Sequence, residues 1–354
     1  MSMPALPHIR GALTGLLLAG AGLIGCGTED PVSRGHFDAF GSTLEITLIG
    51  VDRQQAAEIT QTLKADLQYM ESVWHAWNGS AVPRMNVMFN RGSASFAAPP
   101  SVLPLLHLAK SLSEQSDELF NPAIGHLYRE WGFQGRPARC LRPPEQETID
   151  LVLAARPSMR DIEIDGFHVS SRNKLVKLDF RGIQRGFAID RAIARLQEFG
   201  VQNASINAGG DLRAIGSRDG HPWSIAIRGP GVGGVFATLK ISGNEAAFTA
   251  RPHISSFTWD GETYHEIIDP RTGHPAKDTR SVTVLHANAS TADAAATALF
   301  IAGPKDWHRV ARQMGVRYVM LTDSYGQVHM NPAMQARVKL QNSSQKVIIS
   351  EPLV

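Results

Sequence analysis

The segment that most restricts how this chain can fold lies near its end. There a turn reading Asp269-Pro270-Arg271-Thr272-Gly273 is followed by an alanine-rich helix carrying Asp293 and Thr297. Two oxygen-bearing side chains four positions apart stand on one face of a helix, where they can share a hard cation. That pattern points to a site rather than to plain scaffold. Two structural readings compete with it: Asp293 as a carboxylate favouring a helix N-terminus, and Thr297 bonding back to its own turn.

The opposite end carries a second signal. Residues 1–10 hold one arginine and one histidine, Gly11–Gly25 is an uncharged run rich in leucine and glycine, and Leu23-Ile24-Gly25-Cys26 closes it. The run has the length of a signal-peptide core and is too short for a comfortable membrane span. Small residues set up cleavage before Cys26, the arrangement of a bacterial lipoprotein whose cysteine receives lipid. A simple secretory signal with an incidental cysteine is the alternative. The expectation is a signal peptide over residues 1–25, a mature body from 26 to 350, and a membrane tether through lipidated Cys26. Gly27 rather than aspartate follows Cys26, so outer-membrane attachment facing the periplasm is the default over the inner membrane.

Cleavage leaves 329 of 354 residues, enough for one large core or two subdomains. Only Cys140 remains in the body, which excludes an internal disulfide and any cysteine-rich metal site. A formal charge of +2 with both signs interspersed gives no concentrated basic face, so no nucleic-acid partner is expected.

The body reads as mixed helix and strand. Ile59, Leu63, Leu67, Met70 and Trp74 mark one face of a long helix, and Leu105, Leu108 and Leu112 form another stripe. Alternation in Leu44–Leu48 and Trp223–Ile227 predicts half-buried strands; Ser281–Leu285 and Val319–Leu321 read alike, with less polar separation. Pro143, Pro144, the acidic Glu145–Asp150 region and Pro157 mark either a subdomain boundary or a long surface loop. In the middle, Leu175–Arg181 reads as a strand entering the glycine-bracketed turn Gly182–Gly186, then a helix from Phe187 to Phe199 ended by Gly200. Both glycines of that turn permit close approach of backbone to a ligand, and Arg185 between them can meet a phosphate. A tight turn with a solvated arginine explains the same residues. Asn207-Ala208-Gly209-Gly210-Asp211 is a second glycine turn, able to offer amides to a phosphate or to be an ordinary turn.

In their order along the chain these segments resemble the ApbE family, flavin transferases that attach FMN from FAD to a threonine or serine of a partner protein. The matching parts are Phe40-Gly41-Ser42-Thr43, Trp77–Asn86, Phe120–Phe133, the bracketed turn with Asp190, Gly209-Gly210-Asp211, Asp269–Gly273 and Ala292–Ala298. The resemblance implies an α+β, T-fold-like architecture of mixed helix and largely antiparallel sheet. It implies Mg²⁺ held by Asp293, Thr297 and a backbone carbonyl near Gln184, and FAD as substrate. The FAD contacts it implies are Ser42, Trp77, Arg84, Gly182, Arg185, Asp190, Gly209, Gly210, Asp211, Thr249 and Asp269. Magnesium suits such chemistry because it takes oxygen ligands and can bridge a diphosphate.

The chain departs from the family pattern at four places. Arg185 replaces a lysine, Thr249-Ala250-Arg251 replaces Thr-Ser-Gly, and Asn121 replaces a common aspartate. Glu266 stands where a histidine is usual, with His265 one residue earlier. Glu266, His265 and Arg185 are therefore the candidate catalytic residues, the first two as alternative bases. The resemblance implies an acceptor flavoprotein as partner; a non-catalytic FAD-binding lipoprotein and a Mg²⁺-dependent FAD pyrophosphatase are the alternatives.

Overall fold

The computed structural model describes residues 31–353 apart from 77–78, 93, 134–141, 230–233, 242, 253–255 and 343. The expectations for the signal segment, Cys26, Cys140 and Trp77 lie outside the described residues.

The chain opens with the hairpin β1 (Val32–Ala39) and β2 (Ser42–Ile49), then α1 (Arg53–Trp74), α2 (Ala81–Arg91), β3 (Phe96–Ala97) and α3 (Leu103–Gln115). Asp52 caps α1, its Oδ1 accepting from Gln54 N at 2.9 Å and Gln55 N at 3.0 Å. Next come α4 (Gly125–Glu130), α5 (Gln146–Ala155), β4 (Ile162–Asp165), β5 (His168–Ser171) and α6 (Gln184–Glu198). A run of strands follows: β6 (Asn203–Ala208), β7 (Asp211–Ile215), β8 (Trp223–Arg228), β9 (Val235–Ile241), β10 (Glu245–Ala250), β11 (Ser256–Trp259), β12 (Glu262–His265) and β13 (Thr279–His286). The long helix α7 (Ala289–Gln313) precedes β14 (Tyr318–Asp323), β15 (Val328–Met330), α8 (Pro332–Gln335), β16 (Val338–Leu340) and β17 (Val347–Ile349).

Nine strands form one sheet in the order β1-β2-β6-β7-β10-β13-β14-β15-β17, antiparallel throughout except for the parallel β15/β17 pair. Along its central strands alternate side chains enter different cores. Phe248, Val284 and Leu321 pack among the helices, whereas Ala247, Leu285 and Met320 pack against the small sheet β16-β9-β8 on the other face. Strands covered on both faces lose their polar alternation, which is why Ser281–Leu285 and Val319–Leu321 read as nearly unbroken apolar runs.

Three sequence expectations change. Leu175–Arg181 joins no sheet, and its one strand-like pairing is the isolated bridge Ile124–Lys177. Its backbone is satisfied by a side chain instead: Asn86 donates to Leu178 O at 3.0 Å and accepts from Leu178 N at 2.6 Å, while Asp179 N donates to Pro122 O at 2.8 Å. The following helix starts at Gln184, not Phe187, so Gln184, Arg185 and Gly186 are its first turn rather than a loop. The acidic stretch after Pro144 is not a long surface loop but α5, whose Ile149 and Val152 pack in a third core with Trp131, Phe133 and Phe257.

The alanines of α7 explain how the site is closed. Ala292, Ala294, Ala295, Ala296 and Ala298 are all buried, so this helix lies close to its neighbours. At Gly186 a side chain has no room, since a Cβ there would stand 2.5 Å from Ala289 O. Two helix N-termini therefore meet at one point, that of α6 against that of α7.

Candidate active site

Where α6 and α7 meet, each supplies a carboxylate to the other. Asp190, on α6, accepts from Ala289 N at 2.7 Å, Ser290 N at 3.0 Å and Ser290 Oγ at 2.6 Å, and it pairs with Arg213. Asp293, on α7, accepts from Gly186 N at 3.1 Å in the first turn of α6. Each satisfies helix-end N–H groups that have no partner in their own helix. The surroundings differ, because Asp293 also looks into a cavity of about 420 Å³ and Asp190 does not. Burial raises the Asp293 pKa to about 7, against the opposing pull of Arg185.

Gln184, Arg185, Thr249, Glu266 and Thr297 line the same cavity. Thr297 Oγ1 donates to Asp293 O at 3.3 Å, the back-bond to its own turn, and lies close against Gly182. Both competing readings of the pair are thus realised, and neither removes the two oxygens from the cavity wall. Arg185 is not solvated: Nη2 meets Asp211 Oδ2 at 2.8 Å and Nη1 donates to Ser42 Oγ at 3.3 Å. Its Nε is buried with no hydrogen-bond partner among the described residues, so the guanidinium retains a donor. Asp211 also accepts from Thr249 N at 2.8 Å, tying β7 to β10, and Thr249 Oγ1 meets Thr283 Oγ1 at 2.9 Å. Gly209 and Gly210, with φ of 66° and 111°, make the two-residue turn that brings Asp211 back into pairing with Ala208.

His265 and Glu266 part company. Glu266 is buried and lines the cavity. His265 turns into the core against Phe300, its Nε2 2.9 Å from Ala276 O and its Nδ1 accepting from Ile267 N at 3.3 Å. Burial holds its pKa down to about 4. With both ring nitrogens engaged, His265 has no lone pair for a substrate proton, which corrects its place among the candidate bases.

Several other expected contacts stand elsewhere. Asp190 is consumed in capping α7. Asp269 closes its own turn, receiving Arg271 N at 2.9 Å and Arg271 Nη2 at 2.7 Å. Arg84 is exposed on α2, donating to Gly79 O at 2.7 Å. Gly186 approaches α7 rather than a ligand, and of the two bracketing glycines only Gly182 borders the cavity.

Sequence reasoning passed over three cavity residues. Asp179 grips Arg181, whose Nε and Nη2 reach Asp179 Oδ2 at 3.0 and 2.8 Å, and Arg181 stacks 4.1 Å from the Tyr128 ring centre. The signal was present: an aspartate inside the apolar run Val176–Phe180 needs a partner when buried, and the arginine two residues on supplies it. Burial pushes the Tyr128 phenol above its ordinary value.

Among the described residues no group of three His, Cys, Asp or Glu side chains stands together as a metal site. The oxygen set at Asp293 contains only one carboxylate. It nevertheless fits a hard cation, because that carboxylate is buried beside a hydroxyl from the same helix face and opens to a cavity. On the same wall Arg185 offers a guanidinium with an unspent donor. Together the fold and the cavity define an α+β protein in which Asp293, Thr297 and Arg185 share one cavity wall.

Residues 40–320 match the sequence model of the ApbE family, and the chain belongs to that family. It is 36% identical over 329 residues to an FAD:protein FMN transferase of Rhodobacter capsulatus, an alignment covering 92% of this chain and 62% of that protein. A Vibrio cholerae FAD:protein FMN transferase is 31% identical over 325 residues, covering 88% and 93% respectively. The crystal structure of the ApbE protein from Thermotoga maritima superposes with a TM-score of 0.78 at 27% identity, covering 87% of this chain and 99% of that one.

Proposed function

We infer that this protein transfers FMN from FAD to a threonine or serine hydroxyl of a partner protein, releasing AMP. The observation that carries the reading is the shared wall of one cavity. The Asp293–Thr297 oxygen face and the Arg185 guanidinium, anchored by Asp211, address the same space. The named activity of the Rhodobacter capsulatus and Vibrio cholerae relatives supports it.

In the transfer the partner's hydroxyl oxygen bonds to the FMN-side phosphorus, the anhydride bond to AMP breaks, and the hydroxyl proton goes to a base. Glu266, a buried carboxylate on the cavity wall, is assigned as that base, since on the same wall Asp293 is tied to a helix N-terminus and Asp179 to Arg181. Arg185 places fixed positive charge where the transferring phosphoryl group gathers negative charge. Ser42 and Asp211 hold that guanidinium in position, and Gly182 lets the backbone come near the ligand. Asp293, Thr297 and the Gln184 carbonyl would hold Mg²⁺, which when bound neutralises diphosphate charge. The Gly209–Gly210 turn and Thr249 complete the FAD side.

Cys26 carries the lipid in this reading, tethering the body to the periplasmic face of the outer membrane. No helix among the described residues is long and apolar enough to cross a membrane. A Cys26→Ser protein that still partitions into membranes and keeps its lipid label would refute the anchor.

The deciding experiment incubates the mature protein with FAD, Mg²⁺ and a candidate acceptor, and reads acceptor mass and AMP. An acceptor gaining the mass of FMN together with AMP release supports the transferase. AMP without acceptor modification points to a pyrophosphatase, and FAD retained without AMP points to a carrier.

A further inference from the structure

The Asp269–Gly273 turn does not line the cavity, yet it ties two parts of the site together. Residues 265–276 fold back on themselves: Ala276 N donates to Ile267 O at 3.0 Å, Ile268 bridges Pro275, and Asp269 N donates to His274 O at 2.8 Å. Glu266 therefore stands at the base of a narrow loop and Arg271 at its tip. Asp269 is buried and holds Arg271 through four hydrogen bonds. Its Oδ1 accepts from Arg271 N and Nε at 2.9 Å each, and its Oδ2 accepts from Nε at 3.2 Å and Nη2 at 2.7 Å. Behind them Gly273 O accepts from Trp131 Nε1 at 2.7 Å, which anchors the tip in the third core.

With its fork fixed by Asp269, Arg271 reaches α7, where its Nη2 donates to Ile301 O at 3.3 Å. Asp293, Thr297 and Ile301 follow at four-residue intervals and line the same cavity, so they share one face of that helix. The regular helix stops just beyond them, at Gly303 with φ 71° and ψ −179°, and Pro304 has no N–H to offer. Carbonyls of this last turn lose their regular helical donors, and a cation there answers both the open acceptor and the helix dipole. We propose that Arg271 is a positioning residue: by gripping Ile301 O it sets the distance from Glu266, at the base of the loop, to the Asp293–Thr297 face. It acts through the two elements it joins, not by contact with the ligand. This rests on the transferase reading, with Glu266 as base, and deepens it.

The test measures transfer by the mature protein with FAD, Mg²⁺ and acceptor, at a temperature where every variant is folded. Arg271→Ala is expected to lower kcat at least about tenfold, the size of effect that a small misplacement of reacting groups produces. The KM for FAD and the calorimetric Mg²⁺ affinity should stay within about twofold of wild type, because binding is not what the residue serves. Arg271→Lys keeps a charge at the helix end but not the planar fork on Asp269, and should recover part of the loss. A helix cap with no bearing on the site would lower the melting temperature and leave kcat alone. The decisive reading is a double-mutant cycle with Glu266→Gln, in which Arg271→Ala should cost less than about threefold once the carboxylate it places is gone. Equal losses in both backgrounds, or a folded Arg271→Ala protein with wild-type kcat, would overturn the assignment while leaving the transferase reading intact. If Arg271→Ala does not fold, Arg271→Gln takes its place in the same cycle and is read in the same way. Transfer at the wild-type rate in Glu266→Gln would remove the base and this assignment together.

Discussion

Asp190 and Asp293 are the same residue type doing the same local job on opposite helices, and they end in opposite states. Each accepts from the N-terminus of the other's helix. Asp190 gathers two backbone amides, a hydroxyl and a guanidinium, which fill its lone pairs. Asp293 takes one amide and turns its remaining capacity toward a cavity. A carboxylate with every acceptor site filled holds the fold together, whereas a buried one left part-filled is available to a ligand. Two adjacent residues also diverge in direction: His265 turns both ring nitrogens into the core, while Glu266 lines the cavity.

The largest expected effect separates the two aspartates. Asp293→Ala should abolish the Mg²⁺ response and FMN transfer while the protein stays folded, read by calorimetry and acceptor mass. Asp190→Ala strands Arg213 in a buried position and should cost about 3–5 kcal/mol of stability, read as a lower denaturant midpoint. Wild-type Mg²⁺ affinity in folded Asp293→Ala, or an Asp190→Ala protein of unchanged stability, would break the comparison. The next effect concerns the neighbouring pair. Glu266→Gln should slow transfer by about a hundredfold, as expected for loss of a general base, with FAD binding intact or tighter because a charge near the diphosphate is gone. His265→Ala should lower the melting temperature with little change in transfer rate. A transfer reaction that survives Glu266→Gln and disappears in His265→Ala would reverse these roles.

A smaller change sharpens the Asp190 side. Ser290→Ala removes one of its hydrogen bonds and should cost about 1 kcal/mol, with Mg²⁺ and FAD affinities unaffected. Last comes pH. Burial holds both His265 and His126 near a pKa of about 4, below the ordinary value of 6.5, so the unfolded chain binds the extra protons first as pH falls. Their contribution to stability is complete above pH 6.5 and drains away between 6.5 and 4. Urea titrations across that window should show a decline that is shallower in His265→Gln, provided that variant folds; an equal slope would remove His265 from the account.

Much of this was readable from residues alone, for identifiable reasons. The faces of α1 and α3 and the strands β2 and β8 follow from periodicity, because each of these elements buries mainly one side. The Asp293–Thr297 face follows from spacing within one helix. What could not be read depends on contacts between distant segments. Nothing near Leu175 says that its backbone will be satisfied by the Asn86 side chain instead of a sheet neighbour. Nothing in Glu266 or His265 says which will face inward, since that choice is made by Ala276 and Phe300. Asp190 has the residue type of a ligand contact, and its role emerges only when the start of α7 arrives almost a hundred residues later.

The contact at Gly186 has a consequence for how this sequence can drift. Every single-base change of a glycine codon that does not remain glycine either stops the chain or adds a side chain, and here any side chain meets the Ala289 carbonyl. Moving that carbonyl displaces both helix starts together, so the cap at Asp190 and the cap at Asp293 are disturbed by one event. Position 186 therefore has no gentle neighbours in sequence space.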